Sequence, residues 1–163
     1  MRDIIVFIIL VTTLAACEEI QSYPETPEIN FNEFRYDDTT LVFSFVDGDG
    51  DFGLTQADTA GLFNRDSAYY YNFFLNFYEK KDSMYEKKEF KIPTNYRVTD
   101  LPEPAGQNKT LKGKVEVDLT SYSSFPDTFK LQFYIVDKAF NHSDTVMTPP
   151  LSFHWDDEVE SGL

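Results

Sequence analysis

Apolar and polar residues alternate along most of the chain between residues 29 and 155. The apolar positions are rich in aromatic and β-branched side chains, and a period of two with this composition is typical of half-buried β-strands. They are Ile29 and Phe31; Leu41, Phe43 and Phe45; Tyr71, Phe73, Leu75 and Phe77; Val115, Val117 and Leu119; Phe129, Leu131, Phe133 and Ile135; and Leu151, Phe153 and Trp155. No window has a sustained period of 3.6 residues, so the pattern predicts strands rather than helices.

About seven such strands predict an all-β fold, a single antiparallel β-sandwich of the immunoglobulin-like kind over residues 29–157, with a C-terminal tail at 158–163. A small β-barrel is the alternative. In the immunoglobulin-like strand order, the loop 47–67, the loop 92–109 and the turn 137–142 lie at the end of the domain where the chain enters. This topology predicts that the sequence DGDGD (47–51) and the turn at Asp137 are neighbours in space.

The N-terminus, MRDIIVFIILVTTLAACEE, has the pattern of a secretory signal peptide. Arg2 supplies a positive charge, and the unbroken apolar run 4–11 is well short of the roughly 20 residues that cross a bilayer. We therefore predict a signal peptide over residues 1–16. A buried N-terminal helix or strand is the alternative.

The signal ends in Leu14-Ala15-Ala16-Cys17, which resembles the lipobox of bacterial lipoproteins. In those proteins the signal is cleaved before the cysteine, and the cysteine then carries acyl chains. Cys17 is the only cysteine of the chain, so it has no partner for an internal disulfide. The resemblance implies a lipidated Cys17 followed by a tether over 17–28, and an exported protein anchored to the bacterial outer membrane on its periplasmic or cell-surface face.

The net charge of −14 and the pI of about 4.4 narrow the possible partners. A strongly negative protein repels nucleic acid and attracts cations, so nucleic-acid binding is excluded as a function class. Disordered acidic chains are poor in aromatic residues, whereas 17% of this chain is aromatic. The composition therefore indicates a folded domain with an acidic surface.

The motif DGDGD places Asp47, Asp49 and Asp51 on alternate positions with glycine between them. Carboxylates at this spacing converge when the backbone coils, and oxygen ligands of this kind favour Ca²⁺, with Mg²⁺ as the less suited ion. An EF-hand loop has glycine at position six and an acid at position twelve, whereas here Phe52 takes position six. The expected ligand set is Asp47, Asp49, Asp51, Gly53, Asp58, Asp137 and Asn141. The alternative is a solvated acidic turn.

Three segments together are similar to a group of small Bacteroidetes-type lipoproteins. They are FxFxDGDGDxGL at 43–54, the tyrosine-rich strand ending in YEK at 78–80, and DKAFNHSDTVMTPPLSF at 137–153. In that group the last segment usually reads D-x-A-G-N-x-S, and here Phe140 replaces the glycine. The resemblance implies an immunoglobulin-like or fibronectin-like sandwich in the cell envelope and nothing catalytic. Glu18-Glu19 likewise resembles the acidic surface-export signal of such lipoproteins.

The strand 68–78, AYYYNFFLNFY, has aromatic residues on both of its faces. The face opposite the core would carry Tyr70, Asn72, Phe74, Asn76 and Tyr78, and exposed aromatic rings beside amides are typical of sugar-binding surfaces. A central strand covered on both sides is the alternative.

The two histidines, His142 and His154, lie in no catalytic motif, and we do not expect an enzyme. The sequence favours a membrane-anchored, non-catalytic binding or interaction module with a structural calcium loop. The alternative is a glycan-binding accessory lipoprotein of a nutrient-uptake system. The expected partners are the membrane, through the lipid, and an envelope protein or glycan.

Overall fold

The computed structural model describes residues 22–99, 101–102, 106, 108–122 and 125–153. The signal peptide, the lipidated Cys17, the first part of the tether, the strand position Trp155 and the tail 158–163 lie outside the described residues, so they stay predictions. No helix among the described residues is long and apolar enough to cross a bilayer.

The described chain forms β-strands joined by loops, with two short 3-10 helices in the longest loop. The strands are β1 (Glu28–Arg35), β2 (Thr40–Asp47), β3 (Phe73–Lys81), β4 (Met84–Lys88), β5 (Leu111–Asp118), β6 (Thr128–Ile135), β7 (Val146–Met147) and β8 (Leu151–Ser152); the 3-10 helices are Gly61–Phe63 and Ala68–Tyr70.

The strands form two antiparallel sheets that pack face to face. One sheet has the order β1-β2-β5, and the other has the order β4-β3-β6-β7, with β8 also paired to β6. The division of β1, β2 and β5 from β3, β6 and β7 is that of an immunoglobulin-like sandwich, whereas β4 pairs with β3 rather than with β5. The all-β sandwich predicted from the alternating pattern is therefore confirmed.

The core lies between β2 of the first sheet and β3 and β6 of the second. The rings of Phe43 and Phe73 stack across it with centroids 5.2 Å apart. The inward side chains of these three strands are at most 3% exposed, and each stabilises the fold by about 1.5–3 kcal/mol: Leu41, Phe43, Phe45, Phe73, Leu75, Phe77, Phe129, Leu131, Phe133 and Ile135. Tyr71 was expected to continue this face, but it precedes β3 and is only half-buried.

The tether enters at the end of the sandwich where β2 and β6 finish. The Gly48 N–H donates a hydrogen bond of 2.9 Å to the carbonyl oxygen of Pro24. The ammonium group of Lys112 lies 3.6 Å from the ring centroid of Tyr23. These contacts hold the described part of the tether against the loop that follows β2 and against β5.

Candidate metal centre

Two central strands, one in each sheet, deliver buried acids to the same end of the core. Asp47 is the last residue of β2, and Asp137 follows β6 after Val136. Their exposed fractions are 0% and 2%, since each lies at the end of, or just after, a strand whose inward side chains fill the core. Buried acids at such positions are unusual unless they are paired.

Four carboxylates meet at this end of the sandwich. Asp47, Asp49, Asp51 and Asp137 each place an oxygen within 4.8 Å of the oxygens of the other three. Gly50 has a φ of 73°, which lets the loop coil between Asp49 and Asp51. The structure thus brings DGDGD and Asp137 together, as the strand-order argument predicted, and the four aspartates could hold a metal ion.

Three oxygens of this cluster are buried without a hydrogen-bond donor among the described residues. They are the Oδ1 atoms of Asp47, Asp49 and Asp51. The second oxygen of Asp47 is satisfied, since it accepts a 2.8 Å hydrogen bond from the Phe52 N–H. A buried polar atom left without a partner costs about 1–3 kcal/mol, and native proteins contain few of them. Three of them in one cluster indicate a position that a cation would fill.

Burial and the closeness of the carboxylates also raise the pKa values of two aspartates in the cluster. Burial first, and then the charges of Asp49, Asp51 and Asp137, raise the pKa of Asp47 to about 7, against the hydrogen bond from Phe52, which lowers it. Burial, followed by the charges of Asp137 and Asp49, raises the pKa of Asp51 to about 6. Four ionised carboxylates are therefore costly at neutral pH unless a positive charge lies between them.

Asn141 supports Asp137 from within the same turn. Its backbone N–H donates to Asp137 Oδ1 at 2.8 Å, and its Nδ2 donates to Oδ2 at 2.9 Å. Both bonds leave lone pairs on the carboxylate for further contacts. The structure therefore shows Asn141 as the residue that orients Asp137.

Phe140, which stands where the similar lipoproteins have glycine, keeps the backbone conformation that glycine favours. Its φ is 67°, in the left-handed region. The ring stacks on Phe63 at a centroid distance of 5.3 Å and packs against Tyr69 at 4.8 Å. These ring contacts offset the backbone cost and tie the turn after β6 to the loop after β2.

Two of the expected ligands serve other purposes. Asp58 lies outside the four-carboxylate cluster, because its Oδ2 accepts hydrogen bonds from the Thr55 N–H at 2.7 Å and the Thr55 hydroxyl at 3.0 Å. Gly53 has a φ of 106°, and a Cβ there would lie 3.0 Å from Leu101. Asp58 therefore closes a local turn and Gly53 permits a close approach, and the four clustered carboxylates do not include Asp58.

Three of the five expected sugar-contacting residues share the outer face of β3. The ring of Phe74 stacks on Tyr134 of β6 at 4.8 Å, and Tyr134 stacks on His142 at 5.6 Å. Asn76 Nδ2 and the Tyr78 hydroxyl both donate to Gln132 Oε1, at 3.3 and 3.0 Å. We call this face, Phe74, Asn76, Tyr78, Gln132, Tyr134 and His142, the outer aromatic face.

The other two expected contact residues do not belong to the outer aromatic face. Asn72 is 2% exposed, and its amide exchanges two hydrogen bonds with the backbone of Val98. Tyr70 lies in the second 3-10 helix, with its ring 5.3 Å from the guanidinium of Arg97. Both residues hold loops in place and precede the regular part of β3.

Three residues of the outer aromatic face were not predicted from the sequence: Gln132, Tyr134 and His142. The register of β3 and β6 pairs Phe74 with Tyr134 and Asn76 with Gln132, so side chains of both strands share this face. Strand β6, TFKLQFYI, alternates strongly, so its outward positions could be read from the sequence. The sequence alone does not show that β6 pairs with β3.

Comparisons with protein-family models, curated proteins and solved structures found no match for this chain.

Proposed function

We propose that the protein is a non-catalytic interaction module of the bacterial cell envelope, anchored by a lipid on Cys17 and stabilised by a structural Ca²⁺ ion. The ion would lie between Asp47, Asp49, Asp51 and Asp137. The observation that carries the calcium site is the set of three buried carboxylate oxygens without a donor. The anchor rests on the sequence around Cys17.

The donor set favours Ca²⁺ over other common ions. It consists of carboxylate oxygens without histidine or cysteine, which disfavours Zn²⁺. Oxygens on opposite sides of Ca²⁺, each about 2.3–2.6 Å away, are about 5 Å apart, whereas Mg²⁺ requires about 4 Å and retains several waters. Oxygens that lie within 4.8 Å of one another can reach a common ion, and four carboxylates are more than the one or two that Mg²⁺ usually takes from a protein.

The position of the site explains why the ion would be structural. Asp47 belongs to one sheet, Asp137 follows a strand of the other, and Asp49 and Asp51 lie in the loop between β2 and β3. One ion would connect both sheets and fix the loop. Gly48, inside the same loop, also holds the tether through Pro24, so the ion would also fix the loop surface on which the described part of the tether lies.

Thermal unfolding of residues 18–163 in EDTA, in millimolar Ca²⁺ and in millimolar Mg²⁺ tests the calcium site. A ligand that binds only the folded state raises the midpoint by a few degrees, and we expect the rise to be larger with Ca²⁺. Asp49→Asn should remove the rise. The matched control Asp58→Asn removes the same charge outside the cluster and should keep it. If neither ion changes the midpoint, the loop is an acidic turn and the calcium proposal fails.

Metabolic labelling with a fatty acid tests the anchor. The wild-type chain should incorporate the label and sediment with membranes, and Cys17→Ala should do neither. Label in the Cys17→Ala variant would place the lipid elsewhere and contradict the proposed anchor.

The outer aromatic face favours a second candidate function, a glycan-binding accessory lipoprotein of a nutrient-uptake system. Its partly buried rings Phe74 and Tyr134 are stacked with planes parallel to within 7°, and the side chain of Gln132 lies beside them. Titration of neutral oligosaccharides, followed by tyrosine fluorescence, should show binding that Tyr134→Ala abolishes. Tyr36→Ala, which alters an exposed ring at a different place, should bind normally. Equal binding by both variants would remove this candidate.

A further inference from the structure

Strand β5 is one of the two edge strands of the three-stranded sheet. Among the described residues its only strand partner is β2. The Asp118 carbonyl oxygen accepts a hydrogen bond from the Tyr96 hydroxyl, which shows that it points away from β2. The N–H of the next residue, Leu119, points the other way and donates to the Thr39 carbonyl oxygen. Backbone groups alternate along a strand, so the N–H and C=O of Lys112, Lys114 and Glu116 also point to the open edge.

The charges along this edge are self-complementary. Lys112, Lys114, Glu116 and Asp118 are all exposed and sum to zero, in a chain whose net charge is −14. The two positive residues come first and the two negative residues last, with Val115 at the centre. An antiparallel copy of the strand therefore presents the opposite sequence of charges.

We propose that β5 pairs with β5 of a second copy of this chain, in an antiparallel register centred on Val115. This register places Lys114 opposite Glu116 and Lys112 opposite Asp118 of the second copy. A shift of the centre by one or two residues in either direction places like charges opposite each other, which is destabilising. The three-stranded sheets of the two copies then form one continuous six-stranded sheet.

The backbone geometry selects the same register. Lys114 and Glu116 both direct their N–H and C=O to the open edge, so they form a pair that exchanges both backbone hydrogen bonds. Val115 then faces Val115 of the second copy at a position without hydrogen bonds, where the Cα atoms are about 4.5 Å apart. A register that opposes an edge-facing residue to an inward-facing one would lose these bonds.

The central charge pairs have the most favourable geometry. Arg35 holds both oxygens of Glu116 at 2.9 Å, which fixes that carboxylate on the outer side of the sheet, with lone pairs left for Lys114 of the second copy. Lys112 is already engaged with the ring of Tyr23. The pairs of Lys114 with Glu116 therefore carry the recognition. This inference goes beyond the proposed function, since it depends on β5 alone and requires neither the ion nor the lipid.

Sedimentation equilibrium of the full chain in density-matched detergent, repeated in EDTA and in Ca²⁺, tests the dimer by charge reversal. The wild-type chain should dimerise, and Lys114→Glu or Glu116→Lys alone should weaken dimerisation at least about tenfold, because each places like charges opposite each other twice. An equimolar mixture of the two variants should form a heterodimer, since both pairs are then complementary. Lys80→Glu, the same change on an exposed site of β3, should dimerise like the wild type.

Disulfide formation tests the register directly. Val115→Cys should give a covalent dimer under mild oxidation, because the expected Cα distance lies within the range for disulfides. Lys112→Cys would lie about 20 Å from its counterpart and should not cross-link more than the wild-type chain, whose only thiol is Cys17. A wild-type monomer at about 0.1 mM, a dimer that neither charge variant weakens, or cross-linking only through residue 112 would each overturn the proposal.

Discussion

Asp47 and Asp137 place their carboxylates in one buried cluster although they end strands of two different sheets. Each is almost fully inaccessible, and each is held by one backbone amide, from Phe52 and Asn141 respectively. An ion between them would close a long segment of the chain that includes β3, β4 and β5. Because the four aspartates meet only in the folded chain, the ion would bind that state alone, and binding there stabilises the whole sandwich.

The first prediction concerns pH in the absence of metal. Because Asp47 and Asp51 have pKa values of about 7 and about 6 in the folded protein and an ordinary value of 3.8, the folded state binds more protons between about pH 4 and 7. Stability from this source is complete below pH 4 and is lost as the pH rises through the folded pKa values. Thermal unfolding in EDTA should show a midpoint that falls from pH 4 to pH 7.5.

Saturating Ca²⁺ should remove most of that fall, because the ion replaces the protons above pH 6. The calcium-induced rise in the midpoint should therefore increase with pH and become small near pH 4. A calcium effect that is independent of pH over this range would contradict the assignment of Asp47 and Asp51 as ligands.

The second prediction concerns Asp47→Asn. The amide keeps an oxygen for the Phe52 N–H and removes the most perturbed charge of the cluster. In EDTA at pH 8 we expect the midpoint to rise by about 2–5 °C, while the response to Ca²⁺ disappears. Asp58→Asn should have the opposite sign in EDTA, because hydrogen bonds from Thr55 lower the pKa of Asp58 and stabilise its charged form. Destabilisation by both variants would show that the charge of Asp47 is not a source of strain.

The period of two in the sequence was sufficient for the fold. Phe73, Leu75 and Phe77 alternate into the core as predicted, since the buried face of a strand specifies its register. The alternation failed at Tyr71 and Asn72, one step before β3. There the segment with Tyr96 and Val98 pairs with the chain and buries the Asn72 amide. Pairing with a distant loop leaves no local periodic signal.

The four clustered aspartates of the candidate metal site were all in the ligand set predicted from the sequence, and Asp58 of that set lies outside the cluster. The spacing of the three aspartates in DGDGD and the strand order were enough to bring Asp137 beside the loop. Asp58 was included by counting positions in a helix-flanked loop, whereas in this chain residues 55–58 close a turn of their own. Sequence spacing specifies a ligand only when the backbone path between the ligands is known.

The third prediction concerns Arg97, which fastens the long loop after β2. Its guanidinium donates to the carbonyl oxygens of Tyr70 and Thr55 at 2.9 Å and of Asp58 at 2.6 Å. Lysine lacks the planar fork that reaches several acceptors at once. Arg97→Lys should therefore cost about 1–3 kcal/mol in a denaturant titration and accelerate proteolysis within residues 55–70. The exposed Arg65→Lys should change neither quantity, and equal effects of both variants would argue against a specific role of Arg97.

The fourth prediction concerns Gly48, where the tether meets the metal loop. A Cβ at this residue would overlap the carbonyl oxygens of Pro24 and Tyr23, and both are backbone atoms that cannot rotate away. Gly48→Ala should therefore lose the hydrogen bond to Pro24, destabilise the fold by about 1–3 kcal/mol and weaken the response to Ca²⁺, since residue 48 lies between two of the aspartates. Limited proteolysis followed by mass spectrometry should show faster cleavage near residue 24.

Gly61→Ala has open space around the added Cβ and only a left-handed φ of 58°, so it should cost about 1 kcal/mol and leave both the tether and the calcium response unchanged. If Gly48→Ala retains full protection of the tether, the close approach of the two segments does not control the docking of the tether.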